Sequence, residues 1–276
     1  MTLPMYYTLV RHGLSEANRI QKFIKSGDVT GLAGMVNPDF VNRHDSTMRL
    51  SKEGVGQAQA TGLWLRENWD TFDRFYVSPH VRTRETAAHL GLNGEWIVDD
   101  RFRERDWGEV ANPTKDFENP MSELSKRLKK MNEWYWKPQG GESLATGVRV
   151  RAESVMDSLY RRKNVNNVVA VAHGEFINVS RFVIERMTPD AFNLMDASGT
   201  NSVANTMVVQ YTRQNPNDAD EVTSTFHWRR AICPWDASRS WDDGQWVAFG
   251  TEKHSDAELL KYAEIQNRLF ADDNEI

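Results

Sequence analysis

The chain has 276 residues, of which 39% are hydrophobic and 26% are charged, and this composition is typical of a globular protein with a sizeable core. The net charge of −5 disfavours a general surface for nucleic acid or anionic membrane. The single cysteine, Cys233, excludes an intrachain disulfide and suits a reducing, cytoplasmic location. We expect neither a signal peptide nor a membrane span, because no basic segment precedes a long apolar run.

In chain order, apolar runs and amphipathic segments predict strands interleaved with helices. The first predicted strand ends at Val10, and the next three cover 72–78, 95–100 and 166–176. The predicted helices cover 52–68, 83–90, 117–136 and 143–163, and one more follows the fourth strand to about Met187. A late antiparallel hairpin is predicted from VANTMVVQYTR and STFHWRRAI, joined by the polar turn NPNDADE. This order predicts an α/β fold of three layers (α/β/α) around a mostly parallel central sheet.

Two of the predicted strands end in the same dipeptide. The stretches TLVRHG and AVAHG are both apolar and both close on His-Gly. In open α/β sheets the ligand crevice lies beyond the carboxyl ends of the strands, so these strands can deliver His12 and His173 to one edge. The alternative is that each is an unrelated turn histidine, and it is weaker for the two together than for either alone.

Six ordered motifs extend this pattern along the chain. They are VRHGLSEAN, RLSKEGVGQAQATG, VSPHVRTRETAAHL, DDRFRERDWGEV, GGESLATGVRVR and VVAVAHGEFI. Together they resemble the motifs of the histidine phosphatase superfamily, and the resemblance spans most of residues 5–212. It implies a phosphoglycerate mutase-like fold with a phosphate-pocket asparagine at Asn18, a second pocket arginine at Arg82, an acid at Glu104 and a second histidine at His173.

The chemistry of phosphoryl transfer fits these residue types. It needs a nucleophile, fixed positive donors for the phosphate oxygens and an acid for the leaving oxygen. We expect His12 to attack phosphorus through a neutral ring nitrogen, while Arg11 and Arg82 hold the oxygens through forked donors. We expect His173, held among the phosphate oxygens, to be protonated, and Glu104 to protonate the leaving alcohol and then to activate water. No metal or cofactor is expected, because the arginines and His173 supply the positive charge.

Three smaller residues complete the predicted pocket. Asn18 is expected to donate an uncharged hydrogen bond to the phosphate, and Gly13 to let the backbone turn close to it. Gly174 also belongs to the predicted phosphate site, and it stands where the acid phosphatase and phytase branch carries an aspartate, which argues against that branch. Leu14 departs from the acidic or amide residue frequent after the first His-Gly of the family and changes one wall of the pocket.

The residues alone leave several assignments open. Only the resemblance selects Glu104 over the other acidic candidates, which are Asp106, Glu109, Glu16 and Glu175. The segment GGES favours a phosphatase over a phosphoglycerate-type mutase. A catalytically silent relative that binds phosphorylated ligands or proteins also stays open, although loss of one of the pocket residues would then be expected. A protein phosphatase for phosphohistidine or phosphotyrosine is a further alternative.

The substrate is expected to be a small soluble phosphate ester, because long segments cover the predicted pocket. Residues 19–49 are predicted to form a loop that can contact the substrate, and within it Arg43 and His44 are favoured over the lysines. The aromatic residues 134–136 could stack on a base or sugar ring. Anchoring a loop against the core is the more common role of such side chains.

The end of the chain lies beyond the usual core of the family. We divide the chain into a histidine phosphatase domain over 1–233 and an extension over 234–276, which contains three tryptophans and a predicted helix, DAELLKYAEIQNRLF. The extension is interpreted as a strap that packs on the same domain or as a dimerisation element. The polar break at residues 242–244 favours the strap, and a homodimer stays open.

Overall fold

The computed structural model describes residues 2–26, 44–108, 123–199, 202–251 and 253–265. Its strands are β1 Tyr6–Arg11, β2 Arg74–Val77, β3 Trp96–Val98, β4 Asn167–Ala172, β5 Val208–Thr212, β6 Gln214–Asn215, β7 Asp218–Val222, β8 Trp228–Ile232 and β9 Val247–Ala248. Its α-helices are α1 Glu16–Ser26, α2 Lys52–Asn68, α3 Val81–Leu90, α4 Glu123–Met131, α5 Arg149–Tyr160, α6 Gly174–Glu185, α7 Pro189–Ser198 and α8 Asp256–Glu264. Nowhere in these ranges is a helix long and apolar enough to cross a membrane.

Seven of the described strands form one mixed sheet in the order β3–β2–β4–β1–β5–β8–β9. The first four run parallel, whereas β5, β8 and β9 each pair antiparallel with the neighbour before them. The register between the two central strands pairs Val10 with Val171 and Arg11 with Ala172. Both strands therefore end at the same level, and the residues that follow them share one edge of the sheet.

Alternation along these strands separates two apolar layers. Val10 and Val171 face one side, where they pack with Leu65 of α2 and Leu90 of α3. The opposite side joins apolar residues of β1 and β4 to α5 and α6, including Leu9, Ala170, Val155, Phe176 and Val179. Because successive side chains of a strand point to opposite faces, an apolar run of this kind is buried on both sides. The predicted three-layer fold with a mostly parallel sheet is thus confirmed.

The helix predicted over 52–68 is confirmed as α2, Lys52–Asn68, whereas the other predicted helices differ from the structure at their ends. The helix predicted over 117–136 is observed at Glu123–Met131, and residues 109–122 lie outside the described ranges. The helix predicted over 143–163 begins with a π-helical turn, Leu144–Val148. The prediction missed α7, although Thr188 caps it, Pro189 starts it and Gly199 ends it in a left-handed conformation.

The region 19–49, predicted as a loop, begins inside a helix. The described helix α1 runs over Glu16–Ser26, and the Ser15 hydroxyl accepts a hydrogen bond from the Asn18 N–H at its start. Ala17 and Ile20, three residues apart, are buried against the domain. This short apolar stripe sits among polar residues, so periodicity alone did not reveal it. Residues 27–43, including Arg43, lie outside the described residues.

The late hairpin is present, with two corrections. Strands β5 and β8 pair antiparallel as predicted, but the connecting stretch NPNDADE is not a simple turn, because β6 and β7 pair within it. The strand predicted over 166–176 ends at Ala172, and His173 is the N-cap of α6. The aromatic group at 134–136 packs Trp134 and Trp136 into the protein and leaves Tyr135 exposed, which fits the loop-anchoring interpretation.

Candidate active site

Strands β1 and β4 deliver two histidines to the same edge of the sheet. The His12 N–H donates to the Ala172 carbonyl at 3.0 Å, which continues the strand pairing by one residue. The ring centroids of His12 and His173 are 5.1 Å apart, and both side chains are buried. The two His-Gly stretches of the sequence therefore converge on one pocket.

The His12 ring is held in one tautomer. Its Nδ1 lies 2.8 Å from the Gly13 carbonyl oxygen, and because that oxygen can only accept, Nδ1 carries the proton. The other nitrogen, Nε2, accepts a hydrogen bond from Arg82 Nε at 3.3 Å. Burial, reinforced by Arg82 and then Arg11, lowers the pKa of His12 well below 6.5. The ring is therefore neutral, and its lone pair lies on the nitrogen beside the arginine.

Arg82 connects His12 to an acidic side chain that sequence analysis missed. The guanidinium donates to the Asp45 carbonyl at 2.7 Å and to its carboxylate Oδ2 at 2.8 Å, while Nε faces His12. The Arg82 side chain is only 5% exposed and that of Asp45 23%. The negative charge of Asp45 thus occupies the fork that a phosphate would use. For Nε2 of His12 to attack phosphorus, its hydrogen bond from Arg82 must also be exchanged.

A third histidine lines the pocket, and sequence analysis did not single it out. His80 precedes α3, its ring centroid is 4.6 Å from that of His173, and its Nδ1 lies 3.8 Å from Asp45 Oδ2. Burial, followed by the charge of Arg82, lowers the pKa of His80 to about 4. The motif SPHVR holds the signal, since His80 lies two residues before the pocket arginine.

His173 is positioned by a serine that was also not predicted. Its Nε2 lies 2.8 Å from the Ser78 hydroxyl at the end of β2, and its Nδ1 is 3.9 Å from Glu104 Oε2. Burial and the neighbouring charge of Arg82, and then His12 and His80, lower the pKa of His173 well below 6.5. The protein surroundings alone therefore favour the neutral ring, whereas the predicted protonation concerns a ring held among phosphate oxygens. Only added negative charge in the pocket would oppose this shift.

Arg11, the arginine of the RHG motif, contacts the segment that precedes β5. Arg11 donates through Nη1 to the Val203 carbonyl, and its buried Nε has no hydrogen-bond partner in the described part of the chain. The same holds for Nδ1 of His80 and of His173. These three polar atoms line one pocket and can form hydrogen bonds to a polar ligand or to water.

The two glycines of the His-Gly pairs make close contacts, but not for one common reason. A Cβ on Gly13 would lie 2.5 Å from the Gly54 carbonyl oxygen at the start of α2. The approach of α2 thus requires a glycine at position 13, which is a reason that the sequence did not predict. A Cβ on Gly174 would lie 3.3 Å from Arg11 Nε, so this glycine leaves room for the arginine.

Glu104 stands at the pocket with a second carboxyl nearby. Burial raises the pKa of Glu104, although Arg82 opposes the shift. Burial and the charge of Glu104 also raise the pKa of Glu175, whose Oε1 lies 3.7 Å from Arg105 Nη1. Two partly buried carboxyls that interact in this way favour retention of a proton. The geometry therefore suits an acid at Glu104 and makes Glu175 its neighbour rather than a remote surface residue.

Buried arginines fix the loop that carries Glu104. Arg105, with a fully buried side chain, donates to the Trp136 carbonyl at 2.9 Å and to the Glu133 carboxylate at 2.6 Å. Arg151 donates to the Arg103 carbonyl at 2.8 Å and pairs with the carboxylate of Glu142. These contacts tie the loop to α5 and to the segment after α4, so the acid is held in place.

Asn18 lies on the other wall, beside an asparagine that was not predicted. Its Oδ1 accepts from the Ser15 N–H at 3.3 Å and from Asn205 Nδ2 at 3.4 Å. With the oxygen engaged, the NH₂ group is the part of Asn18 left for a ligand. Asn205 Nδ2 also donates to the His12 carbonyl at 3.0 Å.

His44 does not join these residues. It is exposed, and its Nδ1 lies 2.8 Å from the Ser46 hydroxyl at the start of a short 3₁₀ helix, Asp45–Thr47. The following residue, Asp45, is the one that enters the pocket. The predicted contribution of Arg43 falls outside the described residues.

The comparisons with known proteins place this pocket in a family. Residues 36–217, more than half of the chain, match the family model of the histidine phosphatase superfamily, branch 1. The chain therefore belongs to the histidine phosphatase superfamily. The matched span contains Arg82, Glu104 and His173 and begins after Arg11 and His12, so their assignment depends on the geometry described above.

Individual relatives include mutases and phosphatases. A 2,3-bisphosphoglycerate-dependent phosphoglycerate mutase of Sinorhizobium fredii is 29% identical over 204 residues, covering 69% of this chain and 85% of the relative. A mycobacterial glucosyl-3-phosphoglycerate phosphatase superposes with a TM-score of 0.54 at 20% identity, covering 80% and 96%. A phosphoserine phosphatase variant of Entamoeba histolytica, in complex with phosphoserine, gives 0.55 at 19% identity, covering 76% and 91%. At these identities the two solved structures show the fold that the chains share.

Proposed function

We propose that this protein is a metal-independent phosphomonoesterase that acts through a phosphohistidine on His12. The observation that carries the proposal is the state of the His12 ring. Its Nδ1–H is bound to the Gly13 carbonyl at 2.8 Å, and its Nε2 faces Arg82 at 3.3 Å in a buried site. A neutral imidazole whose Nε2 carries the lone pair is prepared to attack a phosphate once its hydrogen bond from the Arg82 guanidinium is exchanged for contacts of that group with the phosphate oxygens.

In the first step, Nε2 of His12 forms a bond to phosphorus while the bond from phosphorus to the alcohol oxygen breaks. The carboxylic acid of Glu104 gives its proton to that oxygen, and the alcohol leaves. Arg11 and Arg82 bind the phosphate oxygens and stabilise the charge that spreads over them. The phosphate held among these residues opposes the burial that keeps His173 neutral and favours its protonation.

In the second step, Glu104 acts as a base. Its carboxylate takes a proton from water while the water oxygen attacks phosphorus and the bond from phosphorus to Nε2 breaks. Inorganic phosphate leaves, and both His12 and Glu104 return to their first states. The raised pKa of Glu104 suits both roles, because a group that exchanges its proton near the working pH serves as acid and base.

The proposed substrate is a small, soluble phosphate monoester. The supporting observation is that relatives of this fold are known with phosphoserine, with 3-phosphoglyceric acid and with inorganic phosphate. The proposal also includes a contribution of Arg43 or His44 to substrate binding, a cytoplasmic location and a homodimer.

A phosphoglycerate-type mutase is the second candidate, because several relatives at 27–29% identity carry that name. The pocket chemistry is the same for both reactions up to the phosphohistidine. They differ in the acceptor, which is water for a phosphatase and a substrate hydroxyl for a mutase. Adding 3-phosphoglycerate to protein that carries labelled phosphate on His12 separates the two: we expect label in inorganic phosphate, whereas label in bisphosphoglycerate would identify a mutase.

The first test is phosphate release from an aryl phosphate in the presence of a metal chelator. We expect activity in the unmodified protein and none above background in His12→Ala or Arg82→Ala. The matched controls are His89→Ala and Arg84→Ala, because both side chains lie on the exposed side of α3. Activity that disappears with chelator, or that survives in His12→Ala, would contradict the proposal.

A further inference from the structure

The extension after the family core touches the back of the active site. Trp235 donates through its indole N–H to the Asn205 carbonyl at 2.8 Å, and Trp241 donates to the Ser202 carbonyl at 3.3 Å. Both acceptors belong to the segment that leads into β5. The extension is therefore bonded to this segment at two points.

On its other side, the same segment holds the nucleophile. Asn205 Nδ2 and the Thr206 N–H both donate to the His12 carbonyl, at 3.0 Å and 3.3 Å. Asn205 Nδ2 is also 3.4 Å from Asn18 Oδ1. The His12 carbonyl belongs to the peptide unit between His12 and Gly13, so these bonds fix the ring relative to its Gly13 acceptor.

The backbone of this turn is in a conformation that needs support. Thr206 has φ of 51°, a left-handed value that a β-branched residue adopts only when its surroundings enforce it. Thr61 donates to the Thr206 carbonyl at 3.1 Å, and the indole of Trp235 holds the carbonyl of the preceding residue. Such strain persists where neighbouring contacts over-determine the geometry, and it is frequent at functional sites.

The extension itself is firmly attached, so it can serve as such support. The guanidinium carbon of Arg181 lies 4.3 Å from the Trp241 ring centroid and that of Arg229 5.4 Å. Arg229 also binds the Asp242 carboxylate at 3.3 Å. Trp241 is buried, and β9 extends the sheet beside β8. These contacts anchor the strap on both sides of the polar break.

We propose that Trp235 is a positioning residue of the active site, which acts through Asn205 on His12 and Asn18. The extension is then part of the catalytic domain rather than an appendage. This inference rests on the proposed phosphohistidine chemistry, since the group that it positions is the proposed nucleophile. It assigns to the extension a role that the family core alone does not provide.

The test is a double-mutant cycle on the full chain with Trp235→Phe and Asn205→Ala, measured as kcat and KM for an aryl phosphate. Trp235→Phe removes one hydrogen bond and keeps the ring, so we expect kcat to fall about 5-fold with KM changed less than about 2-fold. Asn205→Ala should lower kcat by roughly 10-fold or more, because two contacts are lost. If Trp235 acts through Asn205, the double variant will be no worse than Asn205→Ala alone. Independent, multiplying effects would overturn the inference.

Trp246→Phe is the matched control, because Trp246 also belongs to the extension but stacks on Arg230, with the guanidinium carbon 4.6 Å from the ring centroid. We expect its kcat to equal that of the unmodified protein, and a fall as large as that of Trp235→Phe would indicate a general loss of structure. The unfolding midpoint of every variant is also measured, and the assay temperature is chosen well below all of these midpoints.

A readout without turnover separates this inference from the proposed function. The ring ¹⁵N chemical shifts of His12 report its tautomer, and we expect Trp235→Phe and Asn205→Ala to shift them in the same direction while Trp246→Phe does not. An unmodified protein without phosphatase activity would contradict the proposed function. Unchanged His12 shifts in Trp235→Phe would overturn the positioning role whether or not the protein hydrolyses phosphate esters.

Discussion

Asp45 is the side chain whose removal should most directly reveal the anion-binding character of the pocket. Its carboxylate binds Arg82 at 2.8 Å, and the same guanidinium faces the proposed nucleophile. A phosphate that binds Arg82 must therefore compete with a negative charge that is already present. We expect Asp45→Asn, which keeps the shape and removes the charge, to tighten the binding of inorganic phosphate.

The size of the effect follows from the contact. A hydrogen bond to a charged group contributes about 1.5–3 kcal/mol, against about 1 kcal/mol for a neutral one. Because 23% of the Asp45 side chain is accessible, solvent screens its contact with Arg82. We therefore take the difference between the charged and the neutral hydrogen bond as about 1 kcal/mol. Relief of repulsion between the carboxylate and the phosphate adds to this. Since about 1.4 kcal/mol corresponds to a factor of ten, the dissociation constant should fall roughly 5- to 10-fold.

The assay is calorimetric titration with inorganic phosphate at constant ionic strength. Asp100→Asn is the matched control, because it removes the same charge from a side chain that is 72% exposed and pairs with Arg103 instead of Arg82. We expect the control to bind phosphate as the unmodified protein does. If Asp45→Asn binds phosphate equally or more weakly, Asp45 does not compete for Arg82, and the carboxylate must instead contribute to holding the ligand.

Three further changes test the acid, the second histidine and the packing of the site. Glu104→Gln should remove the loss of kcat at high pH, because a general acid with a raised pKa loses its proton as the pH rises. The same change should lower kcat for alkyl phosphates about 10²-fold or more. If the loss of kcat at high pH persists in this variant, the acid is another residue. Ser78→Ala removes the hydrogen-bond partner of His173 Nε2 and should therefore lower kcat/KM about 10-fold. An unchanged kcat/KM would mean that the serine has no role in positioning His173. Gly13→Ala places a Cβ 2.5 Å from the Gly54 carbonyl oxygen. This contact should lower the free energy of unfolding, measured by denaturant titration, by about 1–3 kcal/mol. An unchanged free energy of unfolding would show that α2 can move away.

The sequence predicted the parts of the site that adjoin regular structure. His12 and His173 follow apolar strands, and strands of that kind must be central in an α/β sheet, so their ends meet. Arg82 lies within the first turn of a helix that begins just after Pro79. In each case the local pattern fixes the element, and the element fixes where the side chain lies.

Other residues of the site were missed because their positions depend on contacts between distant segments. Asp45 reaches Arg82 across 37 positions of sequence, and nothing in the stretch HDSTM distinguishes it from a surface acid. Asn205 contacts His12 from 193 positions away. Ser78 and His80 flank Pro79 and resemble ordinary turn residues, although their place at the end of a strand was a signal that could have been used.

The direction of the His173 pKa shift could not be predicted from the sequence for a related reason. From the sequence, a histidine beside phosphate oxygens is read as a cation, since its ordinary pKa lies close to neutral pH. Burial is a tertiary property, and here it acts together with the positive charge of Arg82 and the neighbouring rings of His12 and His80. Only the folded structure shows that three histidines share one desolvated space.

The same desolvation acts on the proposed nucleophile and on the proposed acid together. Burial disfavours whichever form of a group is charged, so it lowers the pKa of His12 and raises that of Glu104. The imidazole is thereby kept neutral, with its lone pair on Nε2, while the carboxyl is shifted towards its proton-bearing form. The charge of Arg82 lowers the pKa of both groups, so it adds to the effect of burial on His12 and opposes the effect of burial on Glu104. A substitution of Arg82 should therefore change both pKa values together. A substitution that admitted water to the pocket should move both pKa values back towards their ordinary ranges, and the two limbs of the pH profile would then shift in opposite directions.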